Sequence, residues 1–144
     1  QVLRSAGHGD IIAVVDCNFP AVEVATHTTT GTLVQLAGVS APEAISAISS
    51  VCPVDFFVED PLQHMSTEPG VEMPDLGAQV ISDCDAAMAR NSGYDISFKP
   101  VDRFAFYEKS RKAFAVIQTS ERRPYGNFLI QKGVVGPDGK DLMP

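Results

Sequence analysis

Short apolar runs alternate along the chain with longer stretches whose apolar residues recur at helical spacing. The run Ile11–Val15 is β-branched and is flanked by glycine on one side and by Asn18 and Pro20 on the other, so it is predicted to be a buried strand. Similar patterns predict strands over residues 33–36, 54–58, 94–99, 113–117 and 127–130.

The longer stretches predict helices. Ser40, followed by Pro42 and Glu43, is typical of a helix N-terminus, and a helix is predicted over residues 41–51. A second helix is predicted over residues 75–91, just before Gly93, and a third begins with Asp102 as its cap. Residues 2–6 resemble the end of a first helix, so we expect the chain to be truncated at its N-terminus.

Three segments lack a regular pattern. Residues 21–32 are rich in threonine and predict an extended loop or a short edge strand, with His27 in solvent. Residues 59–74 form the longest irregular stretch and are expected to be either a binding or oligomer-contact loop, in which His64 and Met65 face a pocket or a neighbouring subunit, or a variable excursion. Residues 136–144 predict a flexible C-terminal tail.

The alternation of strands and helices over 144 residues predicts an α/β fold in one domain, residues 1–135. We expect three α/β/α layers around a mostly parallel central sheet that finishes with a tight pair of strands. A net charge of −7 argues against nucleic acid or an anionic membrane as a partner. Three cysteines without CxxC spacing predict neither a disulfide framework nor a zinc site and favour a reducing, cytoplasmic setting.

Titratable residues stand at both ends of the first predicted strand. Asp16 follows it, at the edge where open α/β sheets place their ligand sites, and His8 precedes it in a glycine-rich loop. A capping or surface role is the alternative for each. Metal binding by His8, Asp10, Asp16 and Cys17 is disfavoured, because an extended strand would separate the two ends.

Several segments together resemble the L-fucose mutarotase and D-ribose pyranase (RbsD/FucU) family, and most closely its fucose branch. They are Gly7-His8-Gly9-Asp10, Asp16 with Asn18-Phe19-Pro20, Arg103-Phe104-Ala105-Phe106-Tyr107-Glu108, Lys112-Ala113-Phe114-Ala115-Val116, Tyr125-Gly126-Asn127 and Lys132-Gly133. The resemblance implies an RbsD-like fold, no cofactor and no metal, and an isomerase acting on a free monosaccharide, L-fucose above all. It also implies a homo-oligomer, a decamer or smaller, with pockets near subunit contacts.

The same resemblance implies a role for five residues. His8 corresponds to the catalytic histidine, and the sugar-contacting positions fall on Asp16, Arg103, Tyr125 and Asn127. These residue types suit the reaction, because an imidazole can give and take protons near neutral pH and the others can bind a ring of hydroxyl groups. Without the resemblance, Tyr125 and Asn127 would be expected only to shape a turn and Arg103 to pair on its own helix.

Two segments depart from the family pattern. Ser120 stands where the family usually has glycine, and residues 35–38 lack the Arg and Asp that commonly precede Gly38. We expect the first to alter the turn near the pocket and the second to alter sugar preference or subunit contacts. These departures leave two alternatives open: a non-catalytic sugar-binding or scaffolding protein, or an activity of the D-ribose pyranase type.

Overall fold

Five helices and six strands make up the protein in the computed structural model, which describes all residues from Gln1 to Pro144. The helices are α1 (Val2–Ser5), α2 (Ala21–His27), α3 (Ala41–Ser49), α4 (Asp75–Ser92) and α5 (Arg103–Arg111). The strands are β1 (Ile11–Val15), β2 (Leu33–Gln35), β3 (Leu62–Met65), β4 (Lys99–Val101), β5 (Ala115–Gln118) and β6 (Phe128–Gln131).

The six strands form one sheet in the order β2-β5-β1-β6-β3-β4. Only β6 runs antiparallel to its neighbours, so the prediction of a mostly parallel sheet is confirmed. The predicted tight pair at the end is wrong, because β1 lies between β5 and β6. The nine residues 119–127 carry the chain across the end of β1. All strands except β6 therefore end at one edge of the sheet, the carboxyl edge, where β6 begins.

Side chains of β1 alternate between two apolar cores on opposite faces of the sheet. Ile12 and Val14 belong to one core, which α3 and α4 cover, whereas Ala13 and Val15 belong to the other, which α2 and α5 cover. This alternation is the period of two that a strand buried on both faces requires. The three-layer α/β/α architecture is thus as predicted.

Residues 21–27 form a helix, α2, and the predicted loop or edge strand is wrong. Ala21, Val24 and Ala25 lie on one face of this helix and are buried in the core shared with α5. Burial of that face outweighs the weak helix propensity of the valine and threonine residues around it.

The strand predicted over residues 54–58 is also wrong. Only Val54 makes a bridge, to Lys132, and Phe57 and Val58 are exposed in a turn. The strand that enters the sheet is β3, inside the segment expected to be irregular, where it pairs with β6 and β4. Likewise β4 begins at Lys99, so residues 94–98 of the predicted fourth strand lie outside the sheet.

Helix boundaries agree with the predictions where capping signals mark them. Ser40 and Glu43 form a reciprocal capping box at α3, and Gly93 ends α4 in the left-handed conformation with φ of 73°. Asp102 caps α5 by accepting hydrogen bonds from the backbone N–H groups of Phe104 and Ala105. None of the five helices combines the length and apolar character needed to cross a bilayer.

The C-terminal segment folds back on the body of the protein. Val135 bridges Asp141, and the carboxylate of Asp141 accepts a hydrogen bond from the N–H of Val54 at 3.4 Å. The flexibility of residues 136–144 and the domain boundary at residue 135 stay predictions.

Candidate active site

A buried pair of polar side chains, Asp16 and Asn127, lies at the carboxyl edge of the sheet. Asp16 follows β1 and Asn127 precedes β6, so the antiparallel pairing of these strands brings them together. The side-chain Oδ1 of Asn127 accepts the N–H of Asp16 at 2.9 Å, and its Nδ2 donates to the Asp16 carboxylate at 3.1 Å. Both residues are at most 5% exposed.

The environment of Asp16 opposes ionisation. Burial raises the pKa of its carboxyl above the usual value of 3.8, although hydrogen bonds from Asn18, Phe19 and Asn127 act in the opposite direction. The Asn18 N–H donates to Oδ1 at 3.0 Å. The two carboxylate oxygens offer about four acceptor sites, so these three bonds leave one site for a hydrogen bond from a ligand hydroxyl group.

The segment before β6 holds Tyr125 in an unusual backbone conformation. Tyr125 has φ of 60°, the only non-glycine residue with a positive φ, whereas Gly126 does not need glycine for its dihedral angles. Glycine is required at 126 for space: a Cβ atom there would lie 2.9 Å from Cγ of Glu121 and 3.6 Å from Cβ of Asp16. Tyr125 therefore adopts the left-handed conformation of this turn, and glycine at 126 serves the close packing against Glu121 and Asp16.

Glu121 and Arg123 brace the same segment. The buried Glu121 carboxylate accepts three hydrogen bonds from Arg123, at 2.9–3.0 Å, and one from the N–H of Ala41 at 3.2 Å. Burial alone would raise the pKa of Glu121, but the Arg123 hydrogen bonds dominate and lower it to about 2. Arg123 also bonds Asp83 on α4 at 2.6 Å. The loop that presents Tyr125 and Asn127 is thus tied to α3 and α4.

Arg103 lies at the same edge but not beside Asp16. It begins α5 after β4, which is three strand spacings from β1, about 14 Å. Arg103 is exposed and forms none of the salt bridges in the structure, so the alternative in which it pairs with Asp102 or Glu108 on its own helix is wrong. It lines a surface groove of about 800 Å³ along α5. Tyr107 lines the same groove, and its ring stacks on that of Phe19 with 5.2 Å between the centroids. This contact links the groove to the turn that follows Asp16.

His8 lies at the opposite edge of the sheet. Its Nε2 is 3.1 Å from Oδ2 of Asp55, a carboxylate that is 1% exposed, while half of the His8 side chain faces solvent. The imidazole also meets the Phe57 ring edge-on at 5.8 Å. The loop before β1 is fixed by the N–H of Gly9, which donates to the carbonyl of Lys132 at 2.8 Å.

Within one chain, therefore, the structure brings Asp16, Tyr125 and Asn127 together and separates His8 from them. The five residues of β1 separate the two groups by about 16 Å, since a strand rises about 3.3 Å per residue. The same separation splits the metal set considered above, with His8 and Asp10 at one end and Asp16 and Cys17 at the other.

The other singled-out residues differ in where they lie. His27 is exposed, as expected, beside Glu23. His64 and Met65 are both buried, and Nδ1 of His64 donates to the carbonyl of Met65 at 3.0 Å. Met65 adjoins the Asp16–Asn127 pair, because its Sδ lies 3.7 Å from Nδ2 of Asn127. Ser120, one of the departures from the family pattern, accepts the N–H of Gly38 at 2.8 Å and so joins the two altered segments.

Comparison with known proteins decides the family. Residues 1–135 match the RbsD / FucU transport protein family. The chain belongs to this family. Among its relatives, the fucose mutarotase of Danio rerio is 36% identical over 95% of this chain and 87% of its own length. The L-fucose mutarotase of Actinobacillus pleuropneumoniae is 34% identical over 93% of this chain and 88% of its own length.

A solved fucose mutarotase structure supports the same assignment. The fucose mutarotase of Streptococcus pneumoniae, determined in complex with L-fucose, superposes with a TM-score of 0.71 and 30% identity. The superposition covers 93% of this chain and 89% of that one. The six-stranded mixed sheet is therefore the family fold.

Sequence reasoning missed Asp55, which contacts His8, and Gln131, which contacts Asp55. The signal available was a lone carboxylate in an otherwise apolar run, Val54-Asp55-Phe56-Phe57-Val58. A buried acid is seldom tolerated without partners, so its position marked a polar contact.

Proposed function

We propose that this protein is a cofactor-independent mutarotase that interconverts the α and β anomers of L-fucose. The observation that carries the proposal is the similarity to fucose mutarotases over more than nine-tenths of the chain. The buried Asp16–Asn127 pair beside Tyr125 adds the polar groups and the aromatic face that a monosaccharide site requires.

The reaction requires the enzyme to supply only proton transfers. A proton is delivered to the ring oxygen, the bond from C1 to that oxygen breaks, and the anomeric hydroxyl loses its proton to give an open-chain aldehyde. Rotation about C1–C2 followed by the reverse transfers yields the other anomer. We assign the proton transfers to His8 and the binding of the sugar hydroxyls to Asp16, Arg103, Tyr125 and Asn127.

We further propose that two copies of the chain complete each site. His8 and Asp16 lie at opposite edges of the sheet, too far apart to touch one sugar, so His8 of one copy must meet the Asp16 cluster of another. This arrangement requires a homo-oligomer, a decamer or smaller. We also propose a cytoplasmic location, which the free thiols of Cys17, Cys52 and Cys84 favour.

Exchange NMR on free L-fucose tests the activity, with D-ribose and D-galactose as comparison sugars. We expect the protein to accelerate anomer exchange of L-fucose most, and His8→Ala to abolish the acceleration while the protein stays folded. Sugar binding without any acceleration by the parent protein would instead identify a non-catalytic binding protein. Faster exchange of D-ribose than of L-fucose would indicate a ribose pyranase.

Mixing two inactive variants tests the shared site. We expect His8→Ala and Asp16→Asn to be inactive alone, and co-expression in equal amounts to restore about a quarter of the sites, because random assembly pairs the two intact halves with that frequency. Mixed oligomers that are verified by mass spectrometry but remain inactive would refute a site made by two copies.

A further inference from the structure

Glu121 lies directly beneath the segment that carries the sugar-contacting residues before β6. A Cβ atom at Gly126 would come within 2.9 Å of the Glu121 Cγ, so this side chain packs against the backbone next to Asn127. The Glu121 carbonyl accepts the N–H of Cys17 at 3.0 Å, directly after Asp16. One residue therefore supports both chain segments that form the Asp16–Asn127 pair.

The carboxylate of Glu121 has no capacity left to bind a sugar. Its Oε1 accepts from the N–H and the Nε of Arg123, at 3.0 and 2.9 Å. Its Oε2 accepts from the Arg123 guanidinium at 3.0 Å and from the N–H of Ala41 at 3.2 Å. These four donors fill the roughly four acceptor sites of a carboxylate, and the residue is 5% exposed. Glu121 can therefore act on a ligand only through its neighbours.

The Glu121–Arg123 pair closes this loop on itself around Tyr125. Arg123 binds Glu121 with both its backbone and its guanidinium, and its carbonyl lies 3.4 Å from the Cβ position of Gly126. Between them, Tyr125 has φ of 60°, a conformation that a non-glycine residue keeps only where its surroundings impose it. The bidentate ion pair supplies that constraint, because it fixes the residues on both sides of the turn.

We propose that Glu121, with Arg123 as its partner, is a positioning residue that holds Tyr125 and Asn127 in the geometry that binds the sugar. The inference rests on the proposed mutarotase function. Because His8 lies at the opposite edge of the sheet, loss of Glu121 acts on KM rather than on kcat. A purely stabilising role would lower the free energy of unfolding and leave the KM of the folded protein unchanged.

Three variants separate these roles. Glu121→Gln keeps the packing beneath Gly126 but turns an amide NH₂ toward a donor. Arg123→Lys keeps the positive charge and the backbone N–H but cannot bind both carboxylate oxygens in the same planar geometry. Asp85→Asn is the matched control: Asp85 is a partly buried carboxyl on α4 that accepts the N–H of Phe98 at 2.7 Å and forms no hydrogen bond with the loop.

Exchange NMR over a series of L-fucose concentrations gives kcat and KM, and calorimetric titration with L-fucose gives Kd, each on protein shown to be folded. In Glu121→Gln we expect KM and Kd to rise about 10- to 100-fold, with kcat within about threefold, since misplaced binding groups carry costs of this order. In Arg123→Lys we expect a rise of about three- to tenfold. The control should match the parent within about twofold in all three constants.

Unchanged KM and Kd in folded Glu121→Gln would overturn the inference while the mutarotase function stood. So would a fall in kcat alone, or an equal rise of KM in Asp85→Asn. If Glu121→Gln does not fold, Arg123→Lys takes its place, and an unchanged Kd there overturns the inference.

The same titrations distinguish a failure of the proposed function. A parent protein that binds L-fucose without accelerating anomer exchange would refute the mutarotase activity, and the Kd values of the variants would still test the role of Glu121. A parent protein that does not bind L-fucose would overturn both.

Discussion

Replacing Glu121 with glutamine should destabilise the protein in a pH-dependent way. The carboxylate is buried and holds Arg123 and the N–H of Ala41, and its pKa is about 2 in the folded protein against an ordinary value of 4.5. At about 1.4 kcal/mol per pKa unit, this difference corresponds to about 3 kcal/mol of stability at pH 7, as an order of magnitude.

The direction of the pH dependence of stability follows from the lowered pKa of Glu121. The unfolded chain binds the proton more tightly, so the contribution is fully present above pH 4.5 and is lost as the pH falls toward 2. Glu121→Gln should therefore be less stable than the parent by about 3 kcal/mol at pH 7 and by about 2 kcal/mol at pH 3.5. Other carboxylates are present in both proteins and largely cancel in the comparison.

Urea denaturation of both proteins at several pH values measures this difference. Glu43→Gln is the control, because Glu43 also has a lowered pKa but sits on the exposed capping box of α3, where we expect a much smaller loss. A stability difference between Glu121→Gln and the parent that is small at pH 7, or that does not shrink as the pH falls, would refute the assigned role of the Glu121–Arg123 pair.

Two further substitutions test the packing at each edge of the sheet, again by urea denaturation. Asn127→Ala leaves the buried N–H of Asp16 without its 2.9 Å partner, so we expect the free energy of unfolding to fall by about 2–4 kcal/mol. The control Gln35→Ala removes an exposed hydrogen bond and should cost less than about 0.5 kcal/mol. Equal effects of the two substitutions would contradict the buried pairing. Gly133→Ala places Cβ 2.9 Å from Cα of Asp55 and should lower the free energy of unfolding by about 2–3 kcal/mol. The control Gly7→Ala brings its Cβ only to 3.7 Å from the Asp10 carboxylate and should cost far less. An alanine at 133 with little effect on stability would show that the backbone at Asp55 can move to make room for it.

Local signals in the sequence determined the elements whose ends depend on nearby residues. Ser40 and Glu43, Asp102 and Gly93 satisfy or terminate the backbone within a few residues, so α3, α5 and the end of α4 could be predicted without knowing the tertiary contacts. The apolar run of β1 likewise indicated a strand buried on both faces. The motifs of the RbsD/FucU family added the candidate residues, of which Asp16, Tyr125 and Asn127 do lie together.

Only the tertiary structure decided the rest, because it depends on contacts between residues distant in sequence. Residues 21–27 become a helix through burial against the core under α5, and β3 takes its place in the sheet through pairing with β6. The insertion of β1 between β5 and β6 puts His8 and Asp16 at opposite edges. It also gives His8 a partner, Asp55, 47 positions away, and no local pattern records a hydrogen bond over that separation.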